Sequence, residues 1–379
     1  MKQRGSTVLK FADRYIGIPL IYLAGILKPL FRGVGQQQAA LIRPHRIAII
    51  KLAAIGDTVL LSGPLHSLRR AYPDSHISLF CGASNYEIAK HLSAIDDLIE
   101  VPITQPWRFL IFRGRGSFDL IFDFEPWSRI SAMLSAVLRG RWKVGFRTDS
   151  QHRHYVFDST AKHRIDIHEI ENYQAILETV GIVADDLPEL APYAKPDDGA
   201  GYPSCRYLVF HLWAGGSRAV YKSWPLAHWI SLARLAATHG LLIVFTGGKG
   251  DRSRNEEMIK NLEDVVRARD VSGLPFAELF GLLSRAACII SVDTGLMHIA
   301  SALNAPLVAL HGPTKPLRWG ALSPRAIALS STRKLPRYLD YGFESITDGG
   351  MDDISPADVW ESVLKMISES NPTADSVSR

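Results

Sequence analysis

Arg46-Ile47-Ala48-Ile49-Ile50-Lys51-Leu52-Ala53-Ala54-Ile55-Gly56-Asp57-Thr58 decides the fold. Residues 46–52 form a short apolar run of strand length, which stops at a small-residue turn. Residues 59–72 then place Leu60, Leu61, Leu65 and Leu68 at helical spacing, and Pro73-Asp74 ends the helix. A strand delivering a turn onto a helix is the repeating step of an α/β sheet. Outward from it, the text keeps alternating. Strands are expected over 77–81, 98–101, 118–123 and 142–146, with helices over 85–92 and 128–138 between them. That order argues for a parallel sheet covered on both faces.

Residues 187–204 carry four prolines and two glycines, the composition of a connecting segment. A second alternating series starts beyond it. It has strands over 207–211, 241–245, 288–292 and 307–311, and helices over 225–239, 253–261, 276–284 and 296–303. Ser355-Pro356 supplies an N-cap and a proline at the first position of a last helix. A chain of 379 residues with 47% hydrophobic and 21% charged side chains has material for two such domains. The expected division is an extension over 1–45, an N-terminal domain over 46–190 and a linker over 191–204. A C-terminal domain over 205–350, a closing helix over 351–368 and a polar tail over 369–379 complete it. In open sheets of this kind ligands bind where the strands end, and two facing sheets make a cleft.

Four strand ends carry polar residues suited to chemistry. Gly56-Asp57-Thr58 opens a helix, so Asp57 reads as a cap or as an acid able to accept a hydrogen bond from a hydroxyl. Ala214-Gly215-Gly216-Ser217-Arg218 with Lys222 combines glycines, which let a backbone approach a phosphate, with a point charge. Asp293-Thr294-Gly295-Leu296-Met297-His298 brings a polar turn onto a helix N-terminus, whose unpaired N–H groups suit a diphosphate. The plainer reading is a capping Asp293 or Thr294 and a core His298. Gly312-Pro313-Thr314-Lys315 is a rigid turn followed by basic residues. There is no G-x-x-x-x-G-K-[ST], no G-x-G-x-x-G after the first strand and no G-x-S-x-G, which disfavours P-loop, dinucleotide and serine-hydrolase chemistry. His152, His154, His163 and His168 lack metal-ligand spacing and read as solvated or helix-entry residues, and no metal site is expected.

Taken together, these loops resemble glycosyltransferase family 9, the ADP-heptose:lipopolysaccharide heptosyltransferase family. Four blocks match in order, at 46–71, 119–126 (DLIFDFEP), 214–229 (AGGSRAVYKSWPLAHW) and 282–320. The resemblance spans roughly residues 46–367. It implies a GT-B fold of two Rossmann-like domains and an inverting transfer that uses no metal and no cofactor. The donor would be a nucleotide-diphosphate sugar, ADP-linked as is typical of the family, and the acceptor a lipid-linked glycan. By the same resemblance Asp57 is the general base. Lys222, with Ser217 nearby, binds phosphate, and Asp293, Thr294, Gly295 and His298 hold the diphosphate end of the donor. The ribose partner stays open between Asp251 and Glu256. A sugar-nucleotide epimerase or hydrolase of the same fold would need further acids around the sugar. An inactive nucleotide-binding scaffold would not need Asp57, Lys222 and Asp293 intact.

Charge is unevenly placed. The net charge is +5, yet residues 1–46 hold eight Lys/Arg and one acid, so the remainder is slightly acidic. This weakens a nucleic-acid reading, which wants a basic stripe on the folded body. Residues 15–27 are uncharged and bracketed by Lys10, Arg14, Lys28 and Arg32. About 20 apolar residues are needed to span a bilayer, so this segment suits an anionic membrane interface or an apolar arm packed on protein. Cys81, Cys205 and Cys288 show no disulfide framework, which fits a reducing cytoplasm and a place on the cytoplasmic face of the membrane. Cys81 and Cys288 read as core residues.

Overall fold

A computed structural model describes residues 15, 17–28, 43–191, 203–216, 218–262, 266–340 and 344–369. The chain divides into two compact units, 1–188 and 189–379. In unit 1, helix α1 is Gly17–Leu27 and strand β1 is Arg46–Lys51, followed by helices α2, Ile55–Leu60, and α3, Ser62–Ala71. Next come β2, His76–Cys81, a short α4, Tyr86–Ala89, and β3, Asp97–Glu100. A 3₁₀ helix over Pro106–Arg115 leads to β4, Ser117–Asp123, and α5, Arg129–Val137. The unit closes with β5, Arg139–Arg147, β6, Ser159–Lys162, and α6, Glu169–Glu178. Its six strands are parallel, in the order β3-β2-β1-β4-β5-β6.

Unit 2 repeats the plan. It holds β7 (Tyr207–His211), α7 (Leu226–Thr238), β8 (Leu242–Phe245), α8 (Arg252–Lys260), β9 (Ala268–Asp270) and α9 (Phe276–Arg285). It continues with β10 (Cys288–Val292), α10 (Gly295–Ala302), β11 (Leu307–His311), α11 (Pro316–Trp319), β12 (Ala326–Ser330) and α12 (Pro356–Glu369). Its parallel order is β12-β11-β10-β7-β8-β9, the same winding read from the other edge. In each sheet the strand order reverses at one place, between β1 and β4 and between β7 and β10. Loops from two neighbouring strands diverge there and leave a crevice at their carboxyl ends.

The central strands are apolar throughout because both faces are covered. Ile47, Ile49, Ile50, Ile289, Ile290, Val308 and Leu310 are all fully buried. The expected single helix over 59–72 is instead two, because Leu61 separates α2 from α3 and the Ser62 hydroxyl donates to the Val59 carbonyl. Burial pushes the Cys81 and Cys288 thiols up to about 12, as befits inert core residues.

One histidine corrects the expectation of solvated or helix-entry residues. His168 does stand at a helix entry, where its Nδ1 accepts the Ile170 N–H. His163, however, is buried, 3.2 Å from Glu169 and edge-on to Trp127 and Phe146. The apolar segment over 15–27 forms α1, which packs one face on unit 1. Ile21 is fully buried with Ala132, Val156 and Phe157, and Lys28 pairs with Asp158 at 2.9 Å. Its other face, with Leu23 and Ile26, is exposed. No helix among the described residues is long and apolar enough to cross a membrane.

Candidate functional site

Asp57 sits where β1 ends at the reversal point of unit 1. Its Oδ2 accepts the Ala54 N–H at 3.3 Å, so it serves the start of α2 as a reaching-back cap. The loop that carries it is fastened from three sides. Glu125 Oε1 accepts the Leu52 N–H at 2.7 Å and the Ala53 N–H at 3.0 Å. The Thr58 hydroxyl donates to the Ala54 carbonyl at 2.7 Å, and the Asn85 amide donates to the Lys51 carbonyl and to Thr58, both at 2.8 Å. Asp123 holds Glu125 in turn by accepting its N–H at 3.0 Å.

Glu125 and Lys51 were not legible as site residues in the sequence. Asp123-Phe124-Glu125 reads as a polar end to a strand, and nothing in it announces that Glu125 reaches the neighbouring strand's loop. Both side chains are buried, with Lys51 Nζ 3.7 Å from Glu125 Oε1. Burial pushes the Glu125 carboxyl up, Lys51 opposes that shift, and the charge of Asp57 adds to it. Glu125→Ala leaves two backbone donors unpaired and a buried ammonium without its counter-charge, its remaining hydrogen bond being to the Phe124 carbonyl. It is expected to lower unfolding stability by about 3 kcal/mol in urea titration. Glu125→Gln retains an acceptor for the two N–H groups and is expected to cost clearly less.

In unit 2 the structure brings Lys222 and Asp293 together at the corresponding reversal point. Lys222 ends a 3₁₀ turn, Ala219–Lys222, and its Nζ lies 3.0 Å from Asp293 Oδ2 and 3.2 Å from the Asp293 carbonyl oxygen. The next residues explain the placement. Trp224 is buried and its Nε1 donates to the Ile354 carbonyl at 2.9 Å, which anchors the turn to the core. A Cβ on Gly349 would overlap the Tyr221 carbonyl, and one on Gly312 would overlap the Gly349 carbonyl. Only glycine lets these three backbone segments close beneath Lys222.

Asp293 is buried, and that alone would raise its carboxyl. Lys222 first, then His311 and His298, outweigh this and hold it well below the ordinary carboxylate value. Thr294 caps α10, its Oγ1 accepting the Leu296 N–H at 3.3 Å, and Gly295 is the first residue of that helix. His298 is buried in its first turn. Ser217 lies outside the described residues. Asp57 belongs to unit 1, whereas the other described site residues belong to unit 2.

His311, at the end of β11, escaped sequence reading because it closes an apolar strand. It is fully buried, and burial pushes its imidazole down, a shift that Asp293 opposes and Lys222 reinforces. Its Nδ1 meets the Thr314 hydroxyl at 3.4 Å, while Nε2 has no hydrogen-bond partner among the described residues. Of the two open ribose candidates, Asp251 is engaged locally, accepting the Gly248 N–H at 2.8 Å and pairing with Arg254. Glu256 is exposed on α8. Among the described residues, no three His, Cys, Asp or Glu side chains gather where they could hold a metal ion.

A partly exposed ammonium held by a buried carboxylate beside a capped helix N-terminus can receive a phosphate, because the ammonium and the helix N–H groups both favour negative charge. Residues 114–340 match the family model described as Glycosyltransferase family 9 (heptosyltransferase). Lipopolysaccharide heptosyltransferase 2 of Escherichia coli strain K12 is 30% identical over 299 residues, covering 72% of this chain and 84% of its own. The protein of the same name from Salmonella typhimurium strain LT2 is 24% identical over 362 residues, covering 86% and 99%. Among solved structures, E. coli ADP-heptose lps heptosyltransferase II gives a TM-score of 0.71 at 21% identity, covering 86% of this chain and 99% of that one. An E. coli heptosyltransferase with ADP gives 0.67 at 20% identity, covering 85% and 99%. These structural likenesses establish the two-domain GT-B fold. With its family match and its 30% identical relative, the chain belongs to glycosyltransferase family 9, the heptosyltransferase family.

Proposed function

We propose that this enzyme transfers a heptose from ADP-heptose to a lipopolysaccharide-core or other lipid-linked surface glycan, with inversion and without a metal ion. The observation that carries the reading is the Lys222–Asp293 pair beside the α10 N-terminus. Glycosyl transfer builds positive charge on the sugar and negative charge on the departing diphosphate. In this reading Lys222 and the N–H groups around Gly295 receive that negative charge, with Ser217, Thr294 and His298 lining the same end of the donor. Asp293 keeps Lys222 aimed and charged. Asp57 takes the proton of the acceptor hydroxyl as that oxygen attacks the anomeric carbon from the face opposite the departing diphosphate, so one bond forms as the other breaks and the configuration inverts. The relatives named as lipopolysaccharide heptosyltransferases support the donor and acceptor.

The enzyme works as a peripheral protein on the cytoplasmic face of the membrane, with residues 1–45 contacting anionic lipid. The basic excess of that region and the exposed outer face of α1 support this. Residues 1–14 and 29–42 of the extension lie outside the described ones.

A thermal-shift screen against ADP, UDP, GDP, CDP and dTDP tests the donor, since a ligand that binds only the folded state raises Tm. ADP is expected to stabilise most, equally with EDTA present. Stabilisation by another nucleotide alone discards ADP-heptose, and loss of the effect with EDTA discards the metal-free mechanism.

A further inference from the structure

The 3₁₀ helix Pro106–Arg115 runs ten residues, beyond the usual length for a form with poor hydrogen-bond geometry. Packing of two side chains holds it. Phe109 and Phe112 are buried in the core of unit 1, Phe112 edge-on to Phe80 with ring centroids 5.6 Å apart. The intervening residues turn outward, Trp107, Leu110 and Ile111 being 68%, 60% and 58% exposed. Residues 101–116 contain three arginines and no acid. Arg108 is exposed beside the apolar side chains, and Arg115 pairs with Asp97 at 3.3 Å.

The position of this helix matters as much as its composition. None of the nine residues of α5 is exposed. One flank is covered by α1, through Ile21 against Ala132, Met133 and Ala136. The other is covered by the 3₁₀ helix, through Phe109 and Phe112 against Ile130, Leu134 and Val137. Both of these covering segments turn bulky apolar side chains outward. On α1 these are Leu23 and Ile26.

We propose that Pro106–Arg115 is a second lipid-docking element, which joins the outer face of α1 in seating unit 1 on an anionic bilayer surface. The proposal rests on the peripheral-membrane reading of the N-terminal extension and adds a contact within the enzyme body. Tryptophan favours the membrane–water interface, and arginines beside apolar side chains meet anionic headgroups while their stems stay in the apolar layer. A second copy of the chain fits less well. A two-fold contact would set Arg108 against its own copy, and of the neighbouring acids Asp97 is already engaged by Arg115.

Flotation of the full-length protein tests this, with vesicles of phosphatidylethanolamine plus phosphatidylglycerol and with phosphatidylcholine vesicles. Trp107→Ser/Leu110→Ser/Ile111→Ser alters only exposed side chains and is expected to cut partition onto the anionic vesicles about tenfold or more. Arg108→Glu is expected to weaken binding to anionic vesicles and leave phosphatidylcholine binding unchanged. A wild-type circular dichroism spectrum and an unchanged Tm show that each variant is folded. Leu23→Ser/Ile26→Ser reports on the extension separately. Wild-type partition by the triple variant overturns the proposal whatever the α1 variant does, and loss in the α1 variant alone leaves only the extension as the anchor. Loss of a dimer in the triple variant with vesicle binding unchanged also overturns it, in favour of self-association.

Discussion

Asp57→Asn is expected to lower the rate of sugar transfer at saturating donor and acceptor by about 10³-fold, within the range for loss of a positioned general base. The change is close to isosteric, and the amide oxygen can still accept the Ala54 N–H that Asp57 accepts at 3.3 Å. The start of α2, the Glu125 clasp on Leu52 and Ala53, and the Thr58 and Asn85 contacts have no cause to move. What is lost is the carboxylate proposed to take the acceptor proton as the new bond forms. On that proposal the interaction develops in the transition state, so kcat is expected to fall while nucleotide affinity, assigned above to unit 2, stays as it was. Steady-state kinetics with ADP-heptose, paired with ADP-induced thermal shift, separate the two. A kcat within about threefold of the wild type removes the base from Asp57 and leaves it only the cap.

Lys222→Met acts on both catalysis and stability. The ammonium is the cation nearest Asp293, at 3.0 Å, and the proposed acceptor of leaving-group charge. Its removal is expected to lower kcat by about 10²- to 10³-fold, as for loss of one preorganised electrostatic contact, and to weaken ADP binding as well. It also leaves the buried Asp293 without its main counter-charge. Lys222 remains 21% exposed, so the stability loss is put near 2 kcal/mol, between an open and a fully buried pair.

The sign with pH follows. Asp293 is held below its ordinary value in the fold, so its contribution is present above the unfolded carboxylate value of 3.8 and is lost as pH falls through the folded value. The wild type therefore loses stability on acidification, and Lys222→Met shows a flatter acid limb in urea titrations below pH 5. Lys222→Met/Asp293→Asn is expected to regain most of the stability and none of the activity. A double variant as slow as Lys222→Met but no more stable would mean that the pair adds nothing to the fold. A Lys222→Met enzyme with wild-type kcat would remove it from the leaving-group role.

Strands whose two faces are both buried could be read from the sequence alone, because only a continuous apolar run survives there. Residues 46–52, 207–211, 288–292 and 307–311 are such runs, and their carboxyl ends led directly to Asp57, Lys222 and Asp293. Three strands escaped. β6, β9 and β12 are edges of their sheets, paired on one side and partly exposed, so Ser159–Lys162, Ala268–Asp270 and Ala326–Ser330 carry no decisive pattern. Periodicity reports the surroundings of a residue, not which distant residue it meets. Glu125 could not be tied to Leu52 and Ala53, over 70 positions away, nor His311 to Asp293, nor Phe109 and Phe112 to the core beside α5. The sequence by itself determined the alternation of elements and the loops that carry reactive groups, since local burial and turn chemistry write themselves into neighbouring residues. The tertiary structure alone decided which buried charges face one another and which apolar side chains stay outside, because those follow from strand order and from contacts between residues far apart along the chain.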